Sequence, residues 1–431
     1  MLGMERREFG VGMLRGNIFW LVMCQCIWQF TANIPRPYLP LYIENLGGSP
    51  ADIGIVNSAS AIAGLFLYPL GGYIADKSGR VKLIGLATFG YAFTFLPFAF
   101  APHWEWLTLA SFFQNLVLFY SPILTVLMAD SMRAGTRGQG FALAISLPAA
   151  LGVISPFIGG YLVDAWGIVP TMRFVYNVGF GAGLLVALIR TFTLRETLDP
   201  SKVERLDYRN LPKLLKDSYL SFVETVRWMP DAIRALALMQ MLQVFFNGIA
   251  GAFWIVYATS LLGISATSWG TTSAIQGGTR LVLSQWSGGL LDRLGRRRLL
   301  IPFMAVVPLY PLLFIHVVRD FTGLTLMIFM MALGNAFLMP GFQSLLADSV
   351  PRERRGRVTS AVGGGNFFID VRNTGMGGGM LLFVPMAVAQ LLGGFLYEVE
   401  PTLPFYVMSV GMAVVAAWAY LKIRDPKELY A

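Results

Sequence analysis

Four residues of one apolar stretch, Gln25, Gln29, Asn33 and Arg36, recur at intervals of four, four and three. On a helix that spacing places all four on one face. Amides donate and accept hydrogen bonds, and a guanidinium only donates. Such a stripe offers reversible recognition of a polar or anionic group. A second stripe, Gln240, Gln243 and Asn247, repeats the spacing of three and four, and Arg280 and Asn335 are isolated polar positions in two further apolar stretches. Polar side chains inside a bilayer are costly and face protein or water. A single amide there serves as interhelical glue, at about 1 kcal/mol per contact. A stripe present in both halves of a chain points instead to the wall of a cavity. Covalent chemistry has no such signature. Cys24 and Cys26 sit two apart and point in different directions on a helix, His103 and His316 fall near the ends of apolar stretches, and no Gly-x-x-x-x-Gly-Lys loop occurs. No nucleophile–base pair or metal-ligand cluster stands out, so no catalytic residue, metal or cofactor is expected.

The elements that position these side chains are membrane spans. Of 431 residues, 55% are hydrophobic and only 13% charged, with a mean hydropathy of +0.61. Soluble domains carry about 25% charged residues. Twelve apolar stretches are long enough for a bilayer, which takes about 20 residues each: 16–43, 52–76, 81–101, 105–131, 138–165, 171–193, 232–262, 267–291, 298–318, 323–349, 377–397 and 403–422. The net charge of +9 is a topology signal and not the mark of a nucleic-acid binder. Lys and Arg cluster in alternate connections, from Lys77, Arg80 and Lys82 to Arg296, Arg297 and Arg298, whereas Glu44, Asp52, Glu105, Asp164, Glu398 and Glu400 occupy the others. By the positive-inside rule, both termini and the central connection are expected in the cytoplasm of a multi-pass cell-membrane protein. The first apolar segment lacks a small-residue cleavage site and reads as an uncleaved span.

The chain also repeats itself. Gly72-Tyr73-Ile74-Ala75-Asp76-Lys77-Ser78-Gly79-Arg80 returns 216 residues later as Gly288-Gly289-Leu290-Leu291-Asp292-Arg293-Leu294-Gly295-Arg296. Ala129-Asp130-Ser131 returns as Ala347-Asp348-Ser349, and Gly159-Gly160 as Gly393-Gly394. The spacing predicts two copies of a six-helix unit, residues 1–194 and 232–431, joined by a cytoplasmic linker over 195–231. Within the linker, Leu211, Leu214, Leu215, Tyr219, Phe222, Val223 and Val226 recur at helical intervals, which predicts an amphipathic helix on the membrane surface. A Gly-rich insertion near 358–379, with Asp370 and Arg372, reads as an extended cytoplasmic loop, the alternative being a broken eleventh span that carries an intramembrane ion pair.

With a Gly-x-x-x-Asp-x-x-Gly-Arg loop after spans 2 and 8, the chain resembles the major facilitator superfamily over its whole length, and in particular the drug-efflux-like members of the 12-helix type. The resemblance implies an all-α membrane protein of 12 transmembrane helices in two pseudo-symmetric six-helix bundles. It implies that spans 1, 4, 7 and 10 line a central cavity, which adds Gln114 and Asn115 of span 4 to the candidates Gln25, Gln29, Asn33, Arg36, Gln240, Gln243, Asn247, Arg280 and Asn335. It also implies a conformational latch formed by Gly72, Asp76, Gly79, Arg80 and Asp130, with Gly288, Asp292, Gly295, Arg296 and Asp348 as its symmetric counterpart. Ser155-Pro156-Phe157-Ile158-Gly159-Gly160 is similar to the end of the superfamily's antiporter motif, with Ser155 in place of Gly. The buried arginine that antiporters often carry on span 4 is missing.

The expected function is secondary active transport by alternating access, with ion-gradient-coupled export of small amphipathic, drug-like molecules. The alternatives are a transporter or exchanger of a small organic anion, suggested by Arg36 and Arg280 in a path poor in acids, and a non-transporting sensor of the same fold. A monomer in the lipid bilayer is expected, with a small-molecule substrate, protons or another coupling ion, no enzymatic activity and no nucleic acid.

Overall fold

The computed structural model describes residues 15–77, 79–132, 137–198, 211–351, 354–363 and 379–422, with the backbone alone at 67–77, 137–139, 211, 214, 292 and 355. Every regular element among them is helical. Nine helices or helix pairs among the described residues are long and apolar enough to cross a membrane. Three expected spans lie outside that number. The first is broken, side chains of the second are described only as far as Phe66, and the eighth carries many Ser, Thr, Gly and Gln residues. Asp370 and Arg372 lie outside the described residues.

Proline decides where most passes bend, because it lacks an N–H and clashes with the preceding turn. Pass 1 runs as α1 (Asn17–Asn33), a 3₁₀ turn at Arg36–Tyr38 between Pro35 and Pro40, and α2 (Leu39–Asn45). After α3 (Pro50–Lys77), pass 3 breaks before Pro97 into α4 (Arg80–Phe93) and α5 (Phe95–Ala99). Pass 4 breaks before Pro122 into α6 (Trp104–Val117), a 3₁₀ turn at Leu118–Tyr120 and α7 (Ser121–Asp130). Pass 5 breaks before Pro156 into α8 (Arg137–Gly152) and α9 (Ser155–Trp166), and α10 (Ile168–Thr193) is continuous. The linker contains α11 (Leu211–Trp228), the amphipathic helix expected from its periodicity.

The rear portion repeats this order: α12 (Asp231–Gly251) with α13 (Phe253–Ser260), α14 (Ala266–Leu294), α15 (Arg296–Val306) with α16 (Leu309–His316), α17 (Phe321–Ser349), a short α18 (Arg355–Val362), α19 (Met380–Val399) and α20 (Leu403–Lys422). Gly295, which closes the second loop repeat, has φ +84°, a left-handed conformation open to glycine at little cost. Its counterpart Gly79 has φ −56° and needs no such freedom.

The two portions meet along two helix pairs, α3 with α19 and α9 with α14. Both seams depend on backbones approaching closely, as small residues allow in membrane helices. A Cβ on Gly54 would lie 2.6 Å from the Gln390 carbonyl, and one on Gly160 would collide with the Ala266 carbonyl. The largest apolar cluster runs through both portions, from Tyr38 and Tyr42 to Trp254, Phe314 and Phe405.

Candidate functional site

The breaks in passes 1 and 4 open a cavity of about 330 Å³. All six front-portion candidates, Gln25, Gln29, Asn33, Arg36, Gln114 and Asn115, stand in its wall. Local bonds orient several of them. Asn33 Nδ2 donates to Gln29 Oε1 at 3.2 Å, and Asn115 Nδ2 donates to Ser60 Oγ and to the Ser111 carbonyl. Gln114 Nε2 reaches Thr94 Oγ1 at 3.5 Å.

The rear-portion candidates are placed differently. Gln240, Gln243 and Asn335 are buried, and none of them, nor Asn247 or Arg280, belongs to the wall. Helix α12 packs against α17, α19 and α20, which covers its polar face. Arg280 is half-buried on α14 and engages a neighbour. The rear portion reaches the cavity through α19, with Phe383, Met386 and Gln390. Of these, Gln390 shares the wall with Asn57 and Ser60 of α3, three polar residues that the stripes on passes 1 and 4 gave no reason to single out.

The more consequential addition is Arg190. It sits one turn from the end of α10 and is only 3% exposed, yet it lines the cavity. Its Nη1 donates to Thr88 Oγ1 at 2.9 Å and Tyr120 Oη at 3.5 Å, and its guanidinium lies 5.9 Å from the centroid of the Tyr120 ring. Cys24 is a further neighbour, and Nε has no partner. The break in pass 4 therefore brings Tyr120 to a buried cation. At the far end of the same cavity, Arg36 projects from the 3₁₀ turn of pass 1. Its wall-mates Trp28, Tyr91, Phe95, Phe98 and Tyr176 form one aromatic cluster, with ring centroids 4.7–6.0 Å apart.

The loop repeats each hold an ion pair. Arg80 Nη1 lies 2.5 Å from Asp130 Oδ2 and 3.1 Å from Thr197 Oγ1, with the arginine side chain 6% exposed. Arg296 pairs with Asp348 in the same way. Gly79 and Gly295 precede the two arginines, Gly288 lies within α14, and of Gly72, Asp76 and Asp292 only the backbone is described.

At the opposite face the portions are tied across the seam. Tyr38 Oη sits 2.5 Å from the Pro156 carbonyl and 3.2 Å from that of Ala266, and Ser58 Oγ donates to the Ala387 carbonyl at 2.6 Å. Asp164, at the end of α9, accepts bonds from the backbone N–H groups of Ala266 and Thr267.

Paired helical portions that enclose a polar, arginine-bearing cavity within an apolar membrane frame define a multi-pass transporter and not an enzyme. Comparison with known proteins places it more closely. The profile of the Major Facilitator Superfamily matches residues 21–371 and again 236–430, and the chain belongs to that family. Its relatives include the multi-drug resistance efflux pump PmrA of Streptococcus pneumoniae, 24% identical over 330 residues, covering 75% of this chain and 78% of that protein. The multidrug resistance protein MdtG of Enterobacter lignolyticus is 25% identical over 337 residues, covering 76% and 77%. Among solved structures, a bacterial homolog of the human lysosomal transporter Spinster, in an inward-facing and unoccupied conformation, superposes with a TM-score of 0.66 at 15% identity, covering 95% of this chain and 98% of that one. A POT family transporter in complex with 5-aminolevulinic acid gives 0.67 at 14% identity, covering 93% and 94%. At these identities the structures establish the fold.

Proposed function

We infer that the protein exports small amphipathic molecules across the cell membrane by alternating access, driven by an ion gradient. The observation that carries this reading is the cavity itself. It combines amide anchors with an aromatic cluster, the mixed wall that suits amphipathic ligands, and it lies between portions joined at the face away from the basic loops. With the basic face cytoplasmic, the arrangement is closed to the outside. The domain limits 1–194, 195–231 and 232–431 then describe two rocking bundles and their linker. In the return state, the loops that hold Arg80–Asp130 and Arg296–Asp348 clamp the cytoplasmic side. The efflux pumps among the relatives support the outward direction.

Reconstitution into proteoliposomes tests this reading. A lipophilic fluorescent dye should accumulate in inside-out vesicles when a pH or sodium gradient is imposed, and the accumulation should collapse with the gradient. Flux that ignores every imposed gradient would remove the coupled-export reading, and the absence of flux for any amphipathic probe would favour the sensor alternative.

A further inference from the structure

The wall of the cavity holds two arginines and, among the described residues, no Asp, Glu or His. Membrane proteins normally pair or solvate such charges. Arg190 is held by neutral groups only, and Arg36 has no hydrogen-bond or ion-pair partner among the described residues. A guanidinium left open in a partly desolvated wall is a receptor for a carboxylate or sulfonate, which it can grip with two parallel N–H bonds. The surroundings of Arg36 specify the rest of the ligand. Trp28, Tyr91, Phe95, Phe98 and Tyr176 form a continuous aromatic lining beside it. Such a surface accepts a flat or apolar body.

We propose that the cavity is selective for amphipathic organic anions, with Arg36 holding the anionic headgroup and the adjoining aromatic cluster holding the apolar body. This rests on the transport reading and narrows its substrate class. Of the two arginines that suggested an anion, it keeps Arg36, in the proline-flanked turn of pass 1, and sets aside Arg280, which lies outside the wall. Proline on either side of Arg36 removes two backbone donors and fixes the turn, so the guanidinium is presented with little freedom to lose on binding. Arg190 supplies a second positive charge further along the same wall. An anion moving through the cavity thus meets favourable potential at both ends and no fixed negative charge between them.

The test uses the full-length protein purified in detergent and a matched pair of probes, 4-hexylbenzoate and the isosteric uncharged 4-hexylbenzamide. Binding is read by equilibrium dialysis and by quenching of tryptophan fluorescence. The benzoate should bind about 10-fold more tightly than the benzamide, the effect of one charge-assisted bidentate contact. Arg36→Gln should abolish that discrimination by weakening benzoate binding about 10-fold more than benzamide binding, and Arg36→Lys should retain part of it. Thermal unfolding midpoints within a few degrees of wild type confirm that each variant folds, and if Arg36→Gln does not fold, the Lys variant and the wild-type probe ratio decide. Equal binding of the two probes to wild type, or undiminished benzoate binding by folded Arg36→Gln, would overturn the proposal. Discrimination without flux in proteoliposomes would overturn the transport reading and leave the anion site standing. Flux of both probes at equal rates would do the reverse.

Discussion

The carboxylate of Asp164 caps the helix that begins at Ala266, accepting the Ala266 N–H at 3.1 Å and the Thr267 N–H at 2.8 Å. An acid at the end of the front portion thus satisfies two of the four open N–H groups of a rear-portion helix and sits at the positive end of its dipole. Ser265, the local cap, serves only Ser268. In the alternating-access reading proposed above, parting of these faces would break both bonds, so the pair would weight the conformational equilibrium as well as the helix.

Replacing Asp164 by Ala removes a cap, a loss of about 1 kcal/mol, or about a fivefold change in the ratio of closed to open forms. Spin labels on Asn45→Cys and Ser260→Cys, both exposed beside this seam, read the ratio directly in a Cys24→Ser, Cys26→Ser background. The long-distance population should grow in Asp164→Ala and grow less in Asp164→Asn, whose single amide oxygen can accept only one of the two bonds. An unchanged distance distribution in the Ala variant would show that the seam does not need this cap.

Close backbone approach makes a sharper demand on the same seam. A Cβ at Gly160 would meet the Ala266 carbonyl and come within 2.7 Å of the Tyr38 hydroxyl, whereas Gly181 on α10 has nothing within 4 Å of its Cβ position. Gly160→Ala should therefore force the portions apart and stop transport, and Gly181→Ala should be silent in both. Dye efflux in vesicles measures the first effect, and the same spin-label pair measures the second. Full efflux by Gly160→Ala would mean that the seam can relax by at least the width of a methyl group.

The stripe Gln25, Gln29, Asn33 and Arg36 was legible in the sequence because helical periodicity alone assigns a face, and a polar face in an apolar pass has few places to go. Periodicity does not say what covers that face. Gln240 and Gln243 have the same spacing as the front stripe but are buried, because α19 and α20 pack where water would otherwise reach them. Arg190 was hidden by its position. Counted with the basic residues that follow it, it looks like a loop charge. Its register tells otherwise: Gly179, Gly183, Val186 and Arg190 fall three or four apart on the buried face of α10. Extending the face to the end of the helix would have found it. Nothing local could have shown that Asp164 caps a helix 102 residues away.

Arg190 separates stability from function most directly. Its guanidinium is 3% exposed, faces no carboxylate among the described residues and leaves Nε without a partner. Burying a charge on these terms costs folding free energy, and apolar replacements of buried charged groups are often neutral or stabilising by about 1–4 kcal/mol. Thr88 loses little in such a replacement, since its hydroxyl already donates to the Ile84 carbonyl at 2.6 Å. Arg190→Met should therefore raise the thermal midpoint by several degrees while reducing efflux of anionic probes more than that of neutral ones. A lowered midpoint with unchanged efflux would identify Arg190 as a structural brace on Thr88 and Tyr120, with no part in the charge of the cavity.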